Sequence, residues 1–300
     1  MAPPRSRRAR RATAGLLGST TLAALLPLAL AGPAAATPVP APAARPADGR
    51  LCVSARHPAL AARLSGDIAA ALRGRADTVA VTVRDQVTGV TCALHPGWHF
   101  DSASVIKATV MAAVLRRAQE QRRDLTVRER AELDAMITCS DNDAATALWN
   151  DLGRDRFAAF LALAGMTSTL PGHADYWGLT QITATDEMRL LDVLADRQDV
   201  LSARWRAYAL GLMARVIPEQ RWGAPFGAPP GVTARNKNGW LPRATRGWRV
   251  HSLGILSGAG RNYRMAVLTD DNPTMDYGVD TVQRVALAVN RDVGGSRSHL

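Results

Sequence analysis

Cysteine is scarce in this chain: only Cys52, Cys92 and Cys139 occur in 300 residues. That excludes a disulfide-dense mini-scaffold and any four-cysteine zinc module. Histidine is nearly as rare. His57, His95, His99, His173, His251 and His299 lack ligand spacing with acidic or cysteine partners, apart from His95 and His99, which read as flanking a strand end. No metal and no cofactor is expected. There is no G-x-S-x-G elbow, no phosphate-binding glycine loop and no repeat of 20 to 50 residues. Aromatic residues make up 5%. The basic residues form no run interleaved with aromatics, so no nucleic-acid partner is expected. Beyond the N-terminus no apolar stretch is long enough to span a membrane. The sharpest scarcity is lysine: of 37 Lys and Arg, only Lys107 and Lys237 are lysine.

What is present fits a globular exported protein. Hydrophobic residues make up 47% and charged residues 21%, enough for a real core and too few charges for wholesale disorder. The net charge is +11, and removing Arg5, Arg7, Arg8, Arg10 and Arg11 leaves 11 − 5 = +6. Those arginines, an apolar stretch from Ala14 to about Ala31 and the Ala34-Ala35-Ala36 site read as a signal peptide over 1–36, cleaved after Ala36. No cysteine follows that site, so a lipid anchor is not expected. The Arg pairs leave both general export routes open. Residues 37–49, with Pro38, Pro40, Pro42 and Pro46, read as a semi-extended linker. The folded region is expected over 50–293, as a secreted monomer. Export favours a disulfide, and Cys52 and Cys92, which flank the first helix and hairpin, are the expected pair. Cys139 is expected as a small buried thiol.

Periodicity predicts a helix opened by Pro58, with Leu60, Leu64, Ile68 and Leu72 on one face. Strands follow around Val79, Val81 and Val83 and over 90–94. Helical patterns then cover 104–119, 127–138, 143–152, 154–164, 186–194 and 202–216. Asp186 and Glu187 read as the acidic first turn of one of these. After a Gly/Pro-rich passage over 223–231, strands return at 233–238, 249–256 and 263–269, and a last helix carries Val282, Val285, Ala286 and Val289. The fold class is therefore α/β in the α+β sense. One antiparallel sheet is built from both chain ends (about 50–100 and 221–293) and flanked by the terminal helices, with an all-helical lobe over about 101–220. A cleft between the lobes is the expected site.

Three segments carry chemistry. Ser104-Val105-Ile106-Lys107 opens a helix, with Asp101 or Ser102 as its cap, and a spacing of three sets Lys107 beside the Ser104 hydroxyl. A neutral lysine there takes the serine proton; a charged one stabilises the alkoxide. Ser140-Asp141-Asn142 sits between two helices, where an Asx residue is equally an ordinary N-cap. Lys237-Asn238-Gly239 ends a predicted strand, placing a cation for a carboxylate and a glycine for close backbone approach. Each segment alone is a weak signal. Two lysines drawn among the basic positions land on these two sites roughly once in 700 draws, and Arg, unlike Lys, cannot give up its proton in a protein.

S-x-x-K, S-D-N and K-T/S-G in this order form the motif trio of class A β-lactamases and penicillin-binding proteins, and the chain resembles that penicillin-recognising family across its mature length. The resemblance implies Ser104 as nucleophile, Lys107 as its activator and Ser140 as proton shuttle to the leaving nitrogen. It implies Asn142 orienting substrate and Lys107, and Lys237 holding a substrate carboxylate. Asn238, Gly239 and Trp240 would contact substrate, with the Ser104 and Trp240 N–H groups as oxyanion hole and Arg246 as a second carboxylate anchor from the neighbouring strand. Trp177 and Trp240 are expected along the cleft. A β-lactam or peptidoglycan-like small molecule is the implied substrate, with β-lactam breakdown and antibiotic resistance as the implied role. The family's E-x-x-L-N segment, whose Glu activates the hydrolytic water, is missing: residues 165–185 hold no Glu, leaving Asp175 and His173 as candidate bases. Position 238 is Asn where the family has Thr or Ser. Acylation machinery without the usual deacylation machinery implies slow turnover, a D-alanyl-D-alanine peptidase, transpeptidase or esterase chemistry, or a non-turnover binding protein.

Overall fold

The chain order of elements follows the predicted alternation. The structure, a computed structural model, describes residues 50–295, with side chains to 293. The predicted signal peptide, its cleavage after Ala36 and the linker lie outside the described residues. The elements are β1 (Cys52–Val53), α1 (Pro58–Leu72), β2 (Thr78–Asp85), β3 (Thr91–Leu94), β4 (Phe100–Asp101), α2 (Ile106–Glu120), α3 (Val127–Asp134), α4 (Asn142–Leu152) and α5 (Arg154–Ala164). Then come β5 (Gln181–Ile182), α6 (Ala184–Ala195), α7 (Ala203–Ala214), β6 (Thr233–Pro242), β7 (Trp248–Gly258), β8 (Arg261–Asn272) and α8 (Met275–Gly295). No helix among the described residues is long and apolar enough to cross a membrane.

The main sheet has strand order β1-β3-β2-β8-β7-β6, and every neighbouring pair is antiparallel. Alternation sends Val79, Val81 and Val83 to one face and Ala80 to the other, as it does Met265 and Val267 against Ala266 and Leu268. The first face packs on α1 and α8 through Leu64, Ile68, Val282, Val285 and Val289. The second face joins the core of the middle helices, where Met111, Leu115, Leu148, Phe157 and Leu191 are buried. The expected fold class is therefore observed. Cys52 and Cys92 form the disulfide that joins β1 to β3, as expected.

The strands that matter run longer than periodicity predicted: β6 extends to Pro242, so Lys237 lies mid-strand. A second, two-stranded sheet pairs β4 with β5, Phe100 opposite Ile182 and Asp101 opposite Gln181. Nothing in the local pattern marked these two-residue strands. They tie the segment entering Ser104 to the end of the 165–183 loop.

Candidate active site

Ser104 sits in a single 3₁₀ turn, Ala103–Val105, that runs directly into α2. The expected cap is not formed. The Ser102 side chain makes no capping bond, and Asp101 is held by Arg249 and Arg243 instead. Ala103 takes a left-handed φ of 46°, an uncommon conformation for a side chain with a Cβ, at a cost of about 1–2 kcal/mol. The surrounding structure holds it: Ser102 N donates to Thr180 O at 2.9 Å.

Lys107, in the first turn of α2, is fully buried. Its Nζ donates to Ser140 O at 2.6 Å, Asn142 Oδ1 at 2.8 Å and Ser140 Oγ at 3.2 Å. Those contacts exist because α3 ends in a π-helical turn, Ala135–Cys139, after which Ser140 adopts φ 60°, ψ 34°. That left-handed residue points both its hydroxyl and its carbonyl at one amine. Asp141 caps α4 by accepting from Ala144 N at 2.7 Å. Its neighbour Asn142 is thereby fixed in the first turn, facing Lys107. Asp141 is thus the ordinary cap of this triplet, while Ser140 and Asn142 face Lys107.

Lys237 approaches the same hydroxyl from the sheet. Its Nζ donates to Ser140 Oγ at 2.9 Å and to Asn238 O at 2.9 Å, and it too is fully buried. One serine hydroxyl therefore lies between two lysine amines. Burial lowers the Lys107 pKa to about 7, against a smaller opposing pull from Asp141. Burial, then repulsion from Lys107, pushes Lys237 well below the usual lysine range. Neither amine is ion-paired to a carboxylate among the described residues, so keeping both charged is costly. Ser140 O and Asn142 Oδ1 only accept hydrogen bonds. They hold two Lys107 protons in either charge state, leaving the third position as proton or lone pair.

Gly239 is the contact point between the sheet and the Ser104 turn. A Cβ there would lie 2.8 Å from both Ser104 N and Val105 N, so only glycine lets β6 come this close. Trp177 closes the other side, its ring 4.8 Å from Lys107 Nζ and its Nε1 donating to Thr146 Oγ1 at 3.1 Å.

Other expected site residues land elsewhere. Asn238 is buried and turned from Ser140: its Nδ2 donates to Gln220 O and Trp222 O, and its Oδ1 accepts from Ser252 Oγ at 2.6 Å. Strand alternation sends Lys237 and Gly239 to one face and Asn238 to the other. The Trp240 ring follows Asn238 and packs on Trp222, centroids 6.0 Å apart, on the face opposite Lys237. Arg246 is not on a strand. It occupies the β6–β7 turn with φ 61° and pairs with Asp270 and Asp271, so no carboxylate anchor is formed there. His173 and Asp175 are exposed. Cys139, expected to be buried, is an exposed free thiol, because the π-helical turn rotates it outward from the α3 core face. The sequence reading missed His251, which is buried opposite Gly239, and its partner Asp101. A lone histidine inside a strand pattern carries no signal that separates it from a core residue.

A model of the family described as "Beta-lactamase enzyme family" matches residues 63–132 and 126–293. The "Putative lipoprotein LppW" of Mycobacterium tuberculosis and of Mycobacterium bovis is 30% identical over 239 residues, covering 78% of this chain and 73% of the relative. Among solved structures, a class A beta-lactamase from Bacteroides cellulosilyticus aligns with a TM-score of 0.69 at 17% identity, covering 78% of this chain and 98% of that one. A beta-lactamase from Sphaerobacter thermophilus aligns at 0.65 and 19%, covering 78% and 98%. At these identities the two structures speak to the fold.

Proposed function

The chain belongs to the β-lactamase enzyme family, and from that membership we propose that it is an exported active-site-serine hydrolase that is acylated rapidly at Ser104 and releases the acyl group slowly. The observation that carries this is the Ser140 hydroxyl held by Lys107 at 3.2 Å and Lys237 at 2.9 Å, with Lys107 in the helix that continues the Ser104 turn, its amine bonded to Ser140 and Asn142 rather than to the Ser104 hydroxyl as the spacing predicted.

In this reading the Ser104 hydroxyl attacks the carbonyl of a β-lactam or related amide or ester. Neutral Lys107 receives the hydroxyl proton as the new C–O bond forms. The Ser104 and Trp240 N–H groups bind the oxyanion, at the close approach that Gly239 permits. The tetrahedral centre collapses and the C–N bond breaks. The leaving nitrogen takes a proton from Ser140, which is replenished from Lys107. Lys237 supplies charge for the substrate carboxylate and polarises Ser140. Asn142 holds Lys107 and the substrate amide.

Release needs an activated water, and the loop that carries the family's Glu puts Trp177 over Lys107 instead. His173 and Asp175 are solvent-exposed, with no contact to the lysines. An apolar ring at that position supports a long-lived acyl-enzyme, and so a peptidase, transpeptidase or acyl-trapping role over a fast β-lactamase. Export agrees with a cell-wall or antibiotic substrate, and the mycobacterial relatives are named as lipoproteins. The test is intact-protein mass spectrometry of the mature chain with a penicillin over time, beside Ser104→Ala. A persistent, Ser104-dependent adduct is expected. Rapid hydrolysis of the penicillin would overturn the slow-release part, and no adduct would overturn the substrate class.

A further inference from the structure

We propose that His251 is a positioning residue for Ser104: its imidazole is a neutral peg between the sheet and the Asp101 carbonyl, and it fixes the strained turn that aims the nucleophile. This rests on the reading of Ser104 as the acylated serine.

The tautomer follows from the partners. Thr269 N, beside the β7 bulge between Trp248 and Val250, donates to His251 Nδ1 at 3.1 Å. A backbone N–H only donates, so Nδ1 carries no proton. His251 Nε2 lies 2.8 Å from Asp101 O, which only accepts, so Nε2 carries the proton and donates. Both nitrogens are thus committed, and Phe100 packs edge-on against the ring at 6.0 Å. A second proton at Nδ1 would face the Thr269 N–H. Burial lowers the pKa to about 4, in keeping with that arrangement.

His251 and Gly239 are register partners on adjacent strands and face the same side of the sheet. Gly239 leaves room for the backbone of Ser104 and Val105, while His251 reaches out to the backbone at Asp101. The sheet therefore touches the nucleophile segment once by vacancy and once by projection, on either side of Ala103 with its φ of 46°. The Asp101 carboxylate completes the clamp. It accepts from Gln181 Nε2 at 2.6 Å and lies 3.1 Å from Arg249 Nε and 3.4 Å from Arg243 Nε. Gln181 ends the loop that carries Trp177. One residue before the turn thus joins the sheet, the nucleophile and the loop over Lys107. Because a left-handed alanine relaxes when one side is freed, losing the Nε2–H bond should move Ser104 out of line.

The experiment compares wild type, His251→Gln and His251→Leu. Gln places an amide N–H where Nε2 stood; Leu fills space and donates nothing. Each protein is reacted with a fluorescent penicillin and, separately, with a fluorophosphonate that labels activated serines whatever the natural acyl group. Saturation curves separate the acylation rate constant from the affinity. Expected are a loss of tenfold or more in the rate constant for Leu with both probes, affinity within threefold, and recovery to within threefold of wild type for Gln. Equal rates in Leu and wild type, or equal losses in Leu and Gln, would overturn the peg. So would a loss confined to affinity. If Leu fails to fold, the wild-type ring nitrogens decide by NMR: any state at pH 7 other than a protonated Nε2 with an unprotonated Nδ1 overturns the proposal. Wild type labelled by the fluorophosphonate but not by penicillin would sink the substrate reading while leaving the peg under test; wild type labelled by neither would sink both.

Discussion

Lys107 offers the most exacting test, because its environment predicts the shape of a rate profile. Its amine is fully buried, roofed by the Trp177 ring and held by two carbonyl oxygens, and the pKa falls from 10.5 to about 7. If neutral Lys107 takes the Ser104 proton, the acylation rate follows its neutral fraction. That fraction is about one half at pH 7 and about 1% at pH 5, so acylation at pH 5 should run about 50-fold slower than at pH 7. From pH 7 to 9 the gain should be no more than about twofold. An exposed lysine would instead give about tenfold per pH unit up to about pH 10. Because Lys237 lies on the same hydroxyl, the midpoint belongs to the pair. Asp141 opposes the fall. Asp141→Asn keeps a good N-cap for α4 and should move the midpoint below that of wild type. The assay is stopped-flow labelling by a fluorescent penicillin across pH 5 to 10. A rate still climbing tenfold per unit above pH 8, a flat profile, or a midpoint that rises in Asp141→Asn would refute the argument.

The same shift makes a stability prediction. The unfolded chain holds more protons on Lys107 between about pH 7 and 10.5, so folding stability should rise with pH across that window, and Lys107→Met should flatten the rise in urea titrations. Trp177→Ala admits water to the Lys107 amine. The acylation midpoint should move up toward 10.5 and the adduct lifetime should shorten, read by mass spectrometry; an unchanged lifetime would remove the ring from the release step. Gly239→Ala sets a Cβ 2.8 Å from two backbone nitrogens, so it should cost about 1–3 kcal/mol in denaturant midpoint and slow acylation at least tenfold. Cys52→Ala with Cys92→Ala opens a link spanning 40 residues, which should cost up to about 4 kcal/mol by loop entropy while the acylation rate stays within twofold, checked by thermal melts and labelling.

The parts read correctly in advance are those that local physics decides. Period-2 runs such as Val79, Val81 and Val83 and period-3.6 runs such as Leu60, Leu64 and Ile68 declare which face is buried. The order of those runs leaves an antiparallel sheet with a helical middle. Two of the three motifs stand out because the chain's only two lysines fall in them, and the third because it lies between them in the family's order. Local pattern did not reach everything. The resemblance sets Asn238 and Arg246 against substrate, whereas the pleat turns Asn238 away from Ser140 and the β6–β7 turn carries Arg246 to Asp270. Cys139 ends a π-helical turn that no propensity announces.

By itself, then, the sequence determined the fold class and singled out Ser104, the two lysines and the S-D-N triplet as candidates, because periodicity and the capacity of an amine to titrate are properties of residue type. Only the tertiary structure decided how they meet. It put Ser140 Oγ between two amines 33 and 97 residues away, turned Trp177 over Lys107, and set His251 against Asp101 across 150 residues. Such pairings depend on strand register, on a left-handed serine and on a β-bulge, which are settled by the packing of the whole chain rather than by any segment of it.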